Sequence, residues 1–246
     1  AKDRLVMELQ GEKAIVTGGS GGFGAGIARA LARRGAKVWI TGRDEVALNR
    51  IADETGAVPV VADVTSGEDW DRLFSLVGDD VGILVNNAGA GVRIAPLAEQ
   101  SDSEIAAAVN VNLTGALMGC ARAAERMRRL GRGAIVNISS VCALHAWPGW
   151  SVYTAAKAGL SKFSHALHTE MRPHGVRVFC LTPSWGSTGF NRAAGITGAS
   201  EDPELALKCI SPDEIGRLVV TLLETPDHLT VPDITLQPMI QDIQPM

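Results

Sequence analysis

Short apolar runs alternate along the chain with segments in which apolar residues recur every three or four positions. The runs lack polar alternation, which predicts strands covered on both faces, and they lie at 13–17, 36–41, 57–62, 81–85, 133–139, 176–182 and 231–236. The periodic segments predict amphipathic helices at 25–34, 44–55, 66–77, 101–130, 149–172 and 211–224. This alternation favours an α/β fold, a doubly wound parallel sheet of about seven strands with helices on both faces.

Two helix starts carry recognisable capping signals. Ser101 is followed three positions later by Glu104, which predicts a capping box at the start of the long helix. Ser211 and Pro212 predict a second helix start, with proline at its first position. Between 184 and 208 the pattern loosens and little strand character remains. Because no linker, repeat or composition break interrupts the chain, we expect residues 1–246 to form a single domain.

Composition narrows the class of protein. The chain is 46% hydrophobic, with 27 glycines and 4% aromatic residues, which suits a tightly wound parallel sheet. A formal net charge of −4 argues against a nucleic-acid or anionic-membrane surface. We find neither a signal-like apolar start nor a run of 18 apolar residues, so we expect a soluble, cytoplasmic protein with no membrane partner.

Cysteine and histidine spacings predict no metal site. The cysteines show no C-x-x-C spacing, and no histidine lies beside them at metal-ligand intervals, so we interpret them as reduced thiols of a cytosolic protein; they are Cys120, Cys142, Cys180 and Cys209. The five histidines have no spacing suited to zinc.

A glycine-rich turn lies between the first predicted strand and the first predicted helix, from Thr17 to Gly24. Glycines at such a turn let backbone amides approach a pyrophosphate, which the helix N-terminus then faces. A glycine-rich turn is weak evidence by itself, but its place between strand and helix makes a dinucleotide site the favoured interpretation.

Tyr153 is the chain's single tyrosine, and Lys157 follows it by four residues. In a helix both side chains lie on one face. A free phenol has a pKa of about 10, and an ammonium within reach, with a positively charged cofactor ring, would favour the phenolate and lower that pKa. The pair would then act as a general acid/base. The alternative is that both are ordinary amphipathic side chains on a helix surface.

These motifs together resemble the ordered signatures of the short-chain dehydrogenase/reductase family. The match extends from about residue 10 to residue 188 and rests on Thr17-Gly18-x-x-x-Gly22-x-Gly24, Asp63, Asn86-Asn87-Ala88-Gly89, Asn112, Ser140 and Tyr153-x-x-x-Lys157. The resemblance implies a Rossmann-type, NAD(P)(H)-dependent oxidoreductase that interconverts a ketone or aldehyde and the corresponding alcohol.

The resemblance also implies a role for each catalytic residue. Tyr153 would exchange a proton with the substrate oxygen, while Lys157 lowers the pKa of the phenol and holds the nicotinamide ribose. Ser140 would hold the substrate oxygen; Ser139 is adjacent, but the spacing to the tyrosine favours Ser140. Asn112 would support a water linked to the lysine, with Asn110 as its rival.

The expected cofactor is NADP(H) rather than NAD(H). NAD-selective members of the family carry an aspartate at the tip of the second strand, where this chain has Gly42 followed by Arg43, and an arginine there accommodates a 2′-phosphate. Against this, Gly21 replaces the family's other basic residue, Asp44 could repel a phosphate, and Arg43 could be a solvated helix-start residue. The expected cofactor-binding residues are Thr17, Gly18, Ser20, Gly22, Phe23, Gly24, Arg43, Asp63, Val64, Asn87, Ala88, Gly89, Tyr153, Lys157, Pro183 and Thr188.

The substrate pocket is expected beside the catalytic pair. The chosen lining residues are Cys142, His145, Trp150 and Trp185, with a substrate loop at about 184–210. Several tryptophans favour a greasy, bulky or aromatic substrate, although each could equally belong to the core or to a dimer interface. Arg93 could meet an anionic group on the substrate or be a solvated loop arginine. Two departures from the family pattern are Ser184, where glycine is usual, and residues 236–239, where Gly-Gly is usual.

Three functions compete. The first is a carbonyl reductase or alcohol dehydrogenase, and the second is a 3-oxoacyl-[acyl-carrier-protein] reductase, with arginines to dock an acidic carrier at 126, 128, 129, 132 and 172. The third, a dinucleotide sensor without turnover, has no chemical need for the complete Asn, Ser, Tyr and Lys set. Family members pair through helices matching 101–130 and 150–172, so we expect a homodimer or homotetramer.

Overall fold

The computed structural model describes residues 6–89, 93–198 and 202–242. Its strands are β1 Lys13–Thr17, β2 Lys37–Gly42, β3 Val58–Val61, β4 Val81–Asn86, β5 Gly133–Ile138, β6 Val176–Pro183 and β7 Asp233–Leu236. Its helices are α1 Gly22–Arg33, α2 Glu45–Thr55, α3 Gly67–Val77, α4 Asp102–Val109, α5 Gly115–Leu130, α6 Ser151–Met171, α7 Phe190–Ala193, α8 Pro203–Ala206 and α9 Pro212–Leu223.

The seven strands form one parallel sheet in the order β3-β2-β1-β4-β5-β6-β7. The chain leaves β1 in one direction and returns to its other side at β4, so β1 and β4 flank the topological switch point. In such sheets ligands bind outside the carboxyl ends of the strands at this point. The predicted doubly wound Rossmann-type fold is confirmed.

Helices cover both faces of the sheet, as the apolar strands require. On one face Ile27 and Leu31 of α1 pack with Ile215 and Val219 of α9 over the sheet. On the other face the side chains of α3, α5 and α6 form a second core, which includes Trp70. Because both faces are covered, the central strands β4, β5 and β6 are buried at every position.

Helices α1 and α9 approach each other unusually closely. A Cβ atom on Gly26 would lie 2.0 Å from the carbonyl oxygen of Pro212, and one on Gly216 would lie 2.3 Å from the carbonyl oxygen of Gly26. Glycine is therefore required on both helices. The contact holds α9 against the helix that follows the glycine turn.

The predicted long helix at 101–130 contains an irregular turn. Helix α4 runs into a π-helical segment, Asn110–Thr114, before continuing as α5. The capping box of Ser101 and Glu104 is present, as is that of Ser211 and Glu214. Among the described residues, Asp102–Leu130 is long and apolar enough to span a membrane by length and hydropathy alone, a test that core helices of soluble proteins also pass.

Candidate active site

A cavity of about 860 Å³ opens at the carboxyl edge of the sheet. Residues that follow β1, β4, β5 and β6 line it, together with the start of α6 and of α7. Most of the residues chosen from the sequence meet there: Gly18, Ser20, Gly22, Phe23, Arg43, Asn87, Gly89, Ser140, Cys142, Trp150, Tyr153, Lys157, Pro183, Trp185 and Thr188.

Thr17 fastens the glycine turn to the neighbouring strand. Its hydroxyl accepts the backbone N–H groups of Asn87 and Ala88 at 3.0 and 2.9 Å. The Asn87 side-chain amide in turn donates to the carbonyl oxygens of Thr17 and Gly18 at 2.9 and 3.2 Å. Thr17 and Ala88 thus stabilise the turn through these hydrogen bonds, and neither is among the residues that line the cavity.

The glycine turn fits an anionic ligand. Gly18 and Gly22 have φ angles of +64° and +50°, which favour glycine, and a Cβ atom on Gly24 would lie 2.2 Å from the carbonyl oxygen of Gly18. Within this described segment α1 begins without a side-chain cap and without an acidic residue in its first turn. By contrast α2, α3, α4 and α9 are each capped by Asp or Ser. The free N–H groups of α1 therefore suit a pyrophosphate.

The tip of β2 is basic on its cavity side. Arg43 is exposed and lines the cavity. Asp44 points elsewhere, because its carboxylate caps α2 by accepting the N–H of Ala47 at 3.0 Å. A Cβ atom on Gly42 would lie 3.3 Å from the hydroxyl oxygen of Ser20, so the glycine leaves room beside that hydroxyl.

Asp63 and Val64 line a small crevice beside β2 and not the main cavity. The Asp63 carboxylate accepts the N–H and the hydroxyl of Thr65, each at 2.8 Å. Partial burial opposes ionisation, but those hydrogen bonds and the charge of Arg43 hold the pKa of Asp63 below its usual value. The Val64 carbonyl accepts from the indole N–H of Trp70 at 2.9 Å. The Asp63 carboxylate is thus held in place by Thr65 and lies within the electrostatic influence of Arg43.

Tyr153 and Lys157 lie on one face of α6, as their spacing predicts, and both side chains line the cavity. They are buried, with 7% and 4% of their surfaces exposed. The Lys157 ammonium donates to the carbonyl oxygen of Ile138 at 2.9 Å and lies 5.8 Å from the centre of the Tyr153 ring. The alternative of a solvated surface pair is therefore wrong.

The two candidate serines have different surroundings. The Ser139 hydroxyl bonds to the Lys157 carbonyl at 3.2 Å and to the Ser161 hydroxyl at 2.7 Å, so it is used within the protein. The Ser140 hydroxyl accepts the N–H of Cys142 at 3.2 Å and interacts with the Tyr153 phenol. Ser140, preferred on spacing, is the serine positioned beside the tyrosine.

Asn112 lies in the π-helical segment, where its side-chain N–H donates to the carbonyl oxygen of Ala108 at 3.1 Å. Its buried amide oxygen has no hydrogen-bond partner among the described residues. A Cβ atom on Gly89 would lie 3.0 Å from that oxygen and 3.6 Å from the Lys157 ammonium nitrogen, so the three groups converge. A buried, unpaired acceptor here suits a bridging water. Asn110 is exposed.

Burial dominates the titration of Tyr153 and Lys157. It raises the pKa of Tyr153, with the Cys142 thiol adding to the shift and the hydrogen bond to Ser140 opposing it. Burial also lowers the pKa of Lys157 to about 8. The expectation that the lysine lowers the phenol pKa is not met in the chain alone, because desolvation disfavours the charged form of both groups.

An aromatic wall adjoins the tyrosine. The Trp150 and Phe190 rings are stacked with centres 6.4 Å apart, and the Tyr153 ring contacts both at 5.7 and 5.4 Å. Trp185 lines the cavity with 41% of its surface exposed. His145, although chosen for this pocket, is not among the lining residues; its ring meets the edge of Trp147.

Among the residues that line the cavity, Phe190 lies within the predicted substrate loop, whereas Gln241 was not predicted. Phe190 begins the short helix α7 inside the loop at 184–210, and Gln241 lies in the segment after β7. Neither lies in a motif or periodic pattern. Gln241 lies against its own chain, where it contacts Ser184 and Gln237.

Most of the singled-out arginines are paired within the chain. Arg93 donates to the carbonyl oxygen of Glu99 at 2.6 Å and approaches the Glu104 carboxylate at 3.6 Å, away from the cavity lining. Among the carrier-docking candidates, Arg126 approaches Asp79 at 3.3 Å, Arg129 pairs with Glu125 at 2.6 Å and Arg132 pairs with Glu12 at 2.6 Å. These pairs explain Arg126, Arg129 and Arg132 without a docking partner.

Fold and site together define a Rossmann-type oxidoreductase. The family model described as short chain dehydrogenase matches residues 12–197, and relatives of at least 30% identity cover more than nine tenths of the chain. The chain therefore belongs to the short-chain dehydrogenase family, which confirms the resemblance found in its motifs.

Three relatives illustrate the family. An uncharacterised short-chain dehydrogenase/reductase of Sinorhizobium fredii is 34% identical over 92% of this chain and 91% of its own. A metagenomic short-chain oxidoreductase in complex with NADP superposes with a TM-score of 0.80, at 28% identity over 96% of this chain and 100% of that one. A 3-ketoacyl-(acyl-carrier-protein) reductase from Brucella melitensis complexed with NADH gives 0.84, at 26% identity over 94% and 98%.

Proposed function

We propose that the protein is an NADP(H)-preferring reductase that interconverts a ketone or aldehyde and its alcohol, with Tyr153 as the general acid/base. The observation that carries this proposal is that Tyr153, Ser140 and Lys157 line one cavity whose other end is the uncapped start of α1, with the unpaired amide oxygen of Asn112 near the Lys157 ammonium. A protein that only senses a dinucleotide does not need the buried proton-handling set.

The bound cofactor would supply or accept the hydride. The phenol of Tyr153, protonated at neutral pH because burial raises its pKa, would donate a proton to the substrate oxygen during reduction. Ser140 would hold that oxygen by a hydrogen bond. Lys157, with a pKa near 8, and the unpaired amide oxygen of Asn112 would relay the replacement proton through water.

Arg43 is the proposed source of NADP(H) preference. It is exposed on the cavity rim, and the neighbouring Asp44 carboxylate is engaged by α2. Relatives carry either cofactor, since one is complexed with NADP and another with NADH. The dissociation constants of NADPH and NADH should therefore be measured for Arg43→Asp.

We expect Arg43→Asp to weaken NADPH about tenfold or more relative to NADH, because it replaces an attraction for the 2′-phosphate with a repulsion. Arg50→Asp, on the exposed face of α2, is the matched charge control and should leave the ratio of the two constants unchanged. Equal weakening of both cofactors by Arg43→Asp would contradict the proposed preference.

The cavity favours an uncharged, apolar or aromatic substrate. Among its described lining residues only Arg43 and Lys157 carry a charge, and both belong to the cofactor or proton-handling parts. The wall beside the phenol is Trp150, Phe190 and Cys142. An apolar wall stabilises a bound apolar substrate, because burying apolar surface is favourable, and disfavours a charged substrate, because removing a charge from water is costly.

Absorbance of the reduced nicotinamide tests the function directly. The purified chain is given NADPH with aromatic ketones, aliphatic ketones, a keto acid and an acetoacetyl thioester. We expect oxidation of NADPH with the uncharged ketones, fastest with aromatic ones. Turnover of the thioester alone would favour the 3-oxoacyl-[acyl-carrier-protein] reductase instead, and NADPH binding without turnover of any compound would favour the sensor.

A cytoplasmic location and a homo-oligomer complete the proposal. All four cysteines are buried and free of disulfides, which suits a reducing compartment. The face formed by α4, α5 and α6 carries exposed alanines and is proposed to pair with a second copy of the chain, as a homodimer or as part of a homotetramer.

A further inference from the structure

Ser184, one of the two departures from the family pattern, contacts the segment that begins within the other departure, residues 236–239. Ser184 stands where glycine is usual, and its hydroxyl donates to the side-chain carbonyl oxygen of Gln241. Gln241 belongs to the segment after β7, residues 237–242, which we name the tail segment. Gln241 is 7% exposed and lines the candidate active-site cavity.

The tail segment holds a defined turn. The backbone N–H of Gln241 donates to the carbonyl oxygen of Pro238 at 3.0 Å, and the Gln237 side chain donates to the carbonyl oxygen of Gln241 at 2.6 Å. The backbone N–H of Ser184 donates to the carbonyl oxygen of Leu236 at 2.9 Å. The turn therefore presents the Gln241 amide to the loop that follows β6.

That loop is clamped between the tail segment and the glycine turn. A Cβ atom on Gly186 would lie 2.4 Å from the Phe23 ring, and one on Gly22 would lie 3.4 Å from the side chain of Thr188. The carbonyl oxygen of Trp185 accepts the N–H of Ile210 at 2.8 Å. A displacement of Ser184 would therefore change the position of the loop relative to the glycine turn and the position of Trp185 at the cavity wall.

We propose that Gln241 is a positioning residue of the active site, which acts through the hydroxyl of Ser184 to fix the loop 184–188 against the glycine turn. The inference rests on the proposed function, since the loop borders both the dinucleotide end of the cavity and the substrate wall. Serine at 184 and glutamine at 241 form a donor and acceptor pair, and the same amide oxygen of Gln241 also accepts the backbone N–H of Trp185 at 3.5 Å.

A double-mutant cycle in the full chain tests the pair. Ser184→Ala and Gln241→Ala are each expected to raise the dissociation constant of NADPH and the KM of the carbonyl substrate about two- to tenfold, the range of one neutral hydrogen bond. The double variant should be no worse than Gln241→Ala, because the partners act as one unit. Met239→Ala, fully exposed in the same segment, should match the wild type.

The outcomes separate this proposal from its alternatives. Additive effects of the two substitutions would overturn it, since they would mean that the residues act independently. A fall in melting temperature with unchanged dissociation constant and KM would also overturn it, since that result means a structural role only. If the wild-type chain reduces no carbonyl, the proposed function fails, and the NADPH dissociation constants alone then decide the pair. An unchanged constant in Gln241→Ala would overturn the inference in that case.

Discussion

Tyr153 is a phenol whose burial keeps it protonated and whose hydroxyl lies beside Ser140. Replacing it by phenylalanine removes the transferable proton and keeps the ring that packs on Trp150 and Phe190. We expect Tyr153→Phe to lower kcat at least about a hundredfold, the lower range for a general acid. The dissociation constant of NADPH should change less than about twofold, and a variant that stays active would rule out the assignment.

Lys157 makes the stability of the unliganded chain depend on pH. Its pKa is about 8 in the folded chain against an ordinary value of 10.5, so between these values the unfolded chain binds more protons and stability rises with pH. The pKa values of all four buried thiols are raised, which acts in the opposite direction. The prediction therefore concerns the difference between wild type and Lys157→Met.

We expect that difference in free energy of unfolding to move in favour of the wild type by about 2 kcal/mol between pH 8 and pH 9.5. Urea unfolding at the two pH values measures it. Lys162→Met, an exposed lysine on the same helix, is the control and should show no such change. A difference that stays flat with pH would mean that burial of Lys157 does not depress its pKa.

Sequence reasoning reached the site residues that belong to spaced motifs. Ser140 follows from its offset to Tyr153 and Asn112 from its Asn-Leu context, and their surroundings distinguish them from Ser139 and Asn110. The expected lowering of the phenol pKa is not met in the chain alone, because spacing reveals a nearby ammonium but not how much water surrounds it. Gln241 could not be found because its partner is 57 residues away.

The elements of the sheet were predictable because a parallel strand covered on both faces must be continuously apolar. Strands β4, β5 and β6 follow this rule at every position. The region after β6 follows no such rule, and its two four-residue helices α7 and α8 are too short to show a period. The π-helical segment 110–114 leaves the apolar character of its helix intact, so the pattern does not report it.

The crossing of α1 and α9 yields a prediction at the scale of elements. A Cβ atom on Gly216 would meet the backbone of Gly26 at 2.3 Å, a contact that neither helix can relieve by turning a side chain. We expect Gly216→Ala to lower the free energy of unfolding by about 1–3 kcal/mol, as overpacking does. Gly67→Ala is the control, because its Cβ would lie 3.6 Å from the nearest atom, the guanidinium of Arg122.

Denaturant unfolding of both variants measures this effect. Gly67→Ala should stay within about 0.5 kcal/mol of the wild type, since it adds a methyl group in ordinary contact. A Gly216→Ala protein as stable as the wild type would show that α1 and α9 can separate without loss. The helix that follows the glycine turn would then be fixed by its other contacts.

At the scale of the whole molecule, the face formed by α4, α5 and α6 is the proposed interface between copies of the chain. The stretch Asp102–Leu130 contains an apolar window with a mean hydropathy of 1.2, and only a third of that window is buried within the chain. Alanines at 107 and 121 on this stretch, and at 155 and 166 on α6, are exposed. Small side chains let helices of two copies approach closely and bury apolar area.

We expect sedimentation equilibrium to give twice or four times the chain mass of 25.8 kDa. The double variant Ala121→Glu/Ala166→Glu should lower the mass by placing carboxylates where they cannot be solvated in the paired state. Ala98→Glu, exposed outside both helices, should leave the mass unchanged. A wild-type protein that sediments as a single chain would contradict pairing. A double variant with the wild-type mass would exclude this face, because burying the two new carboxylates without a partner charge is strongly unfavourable.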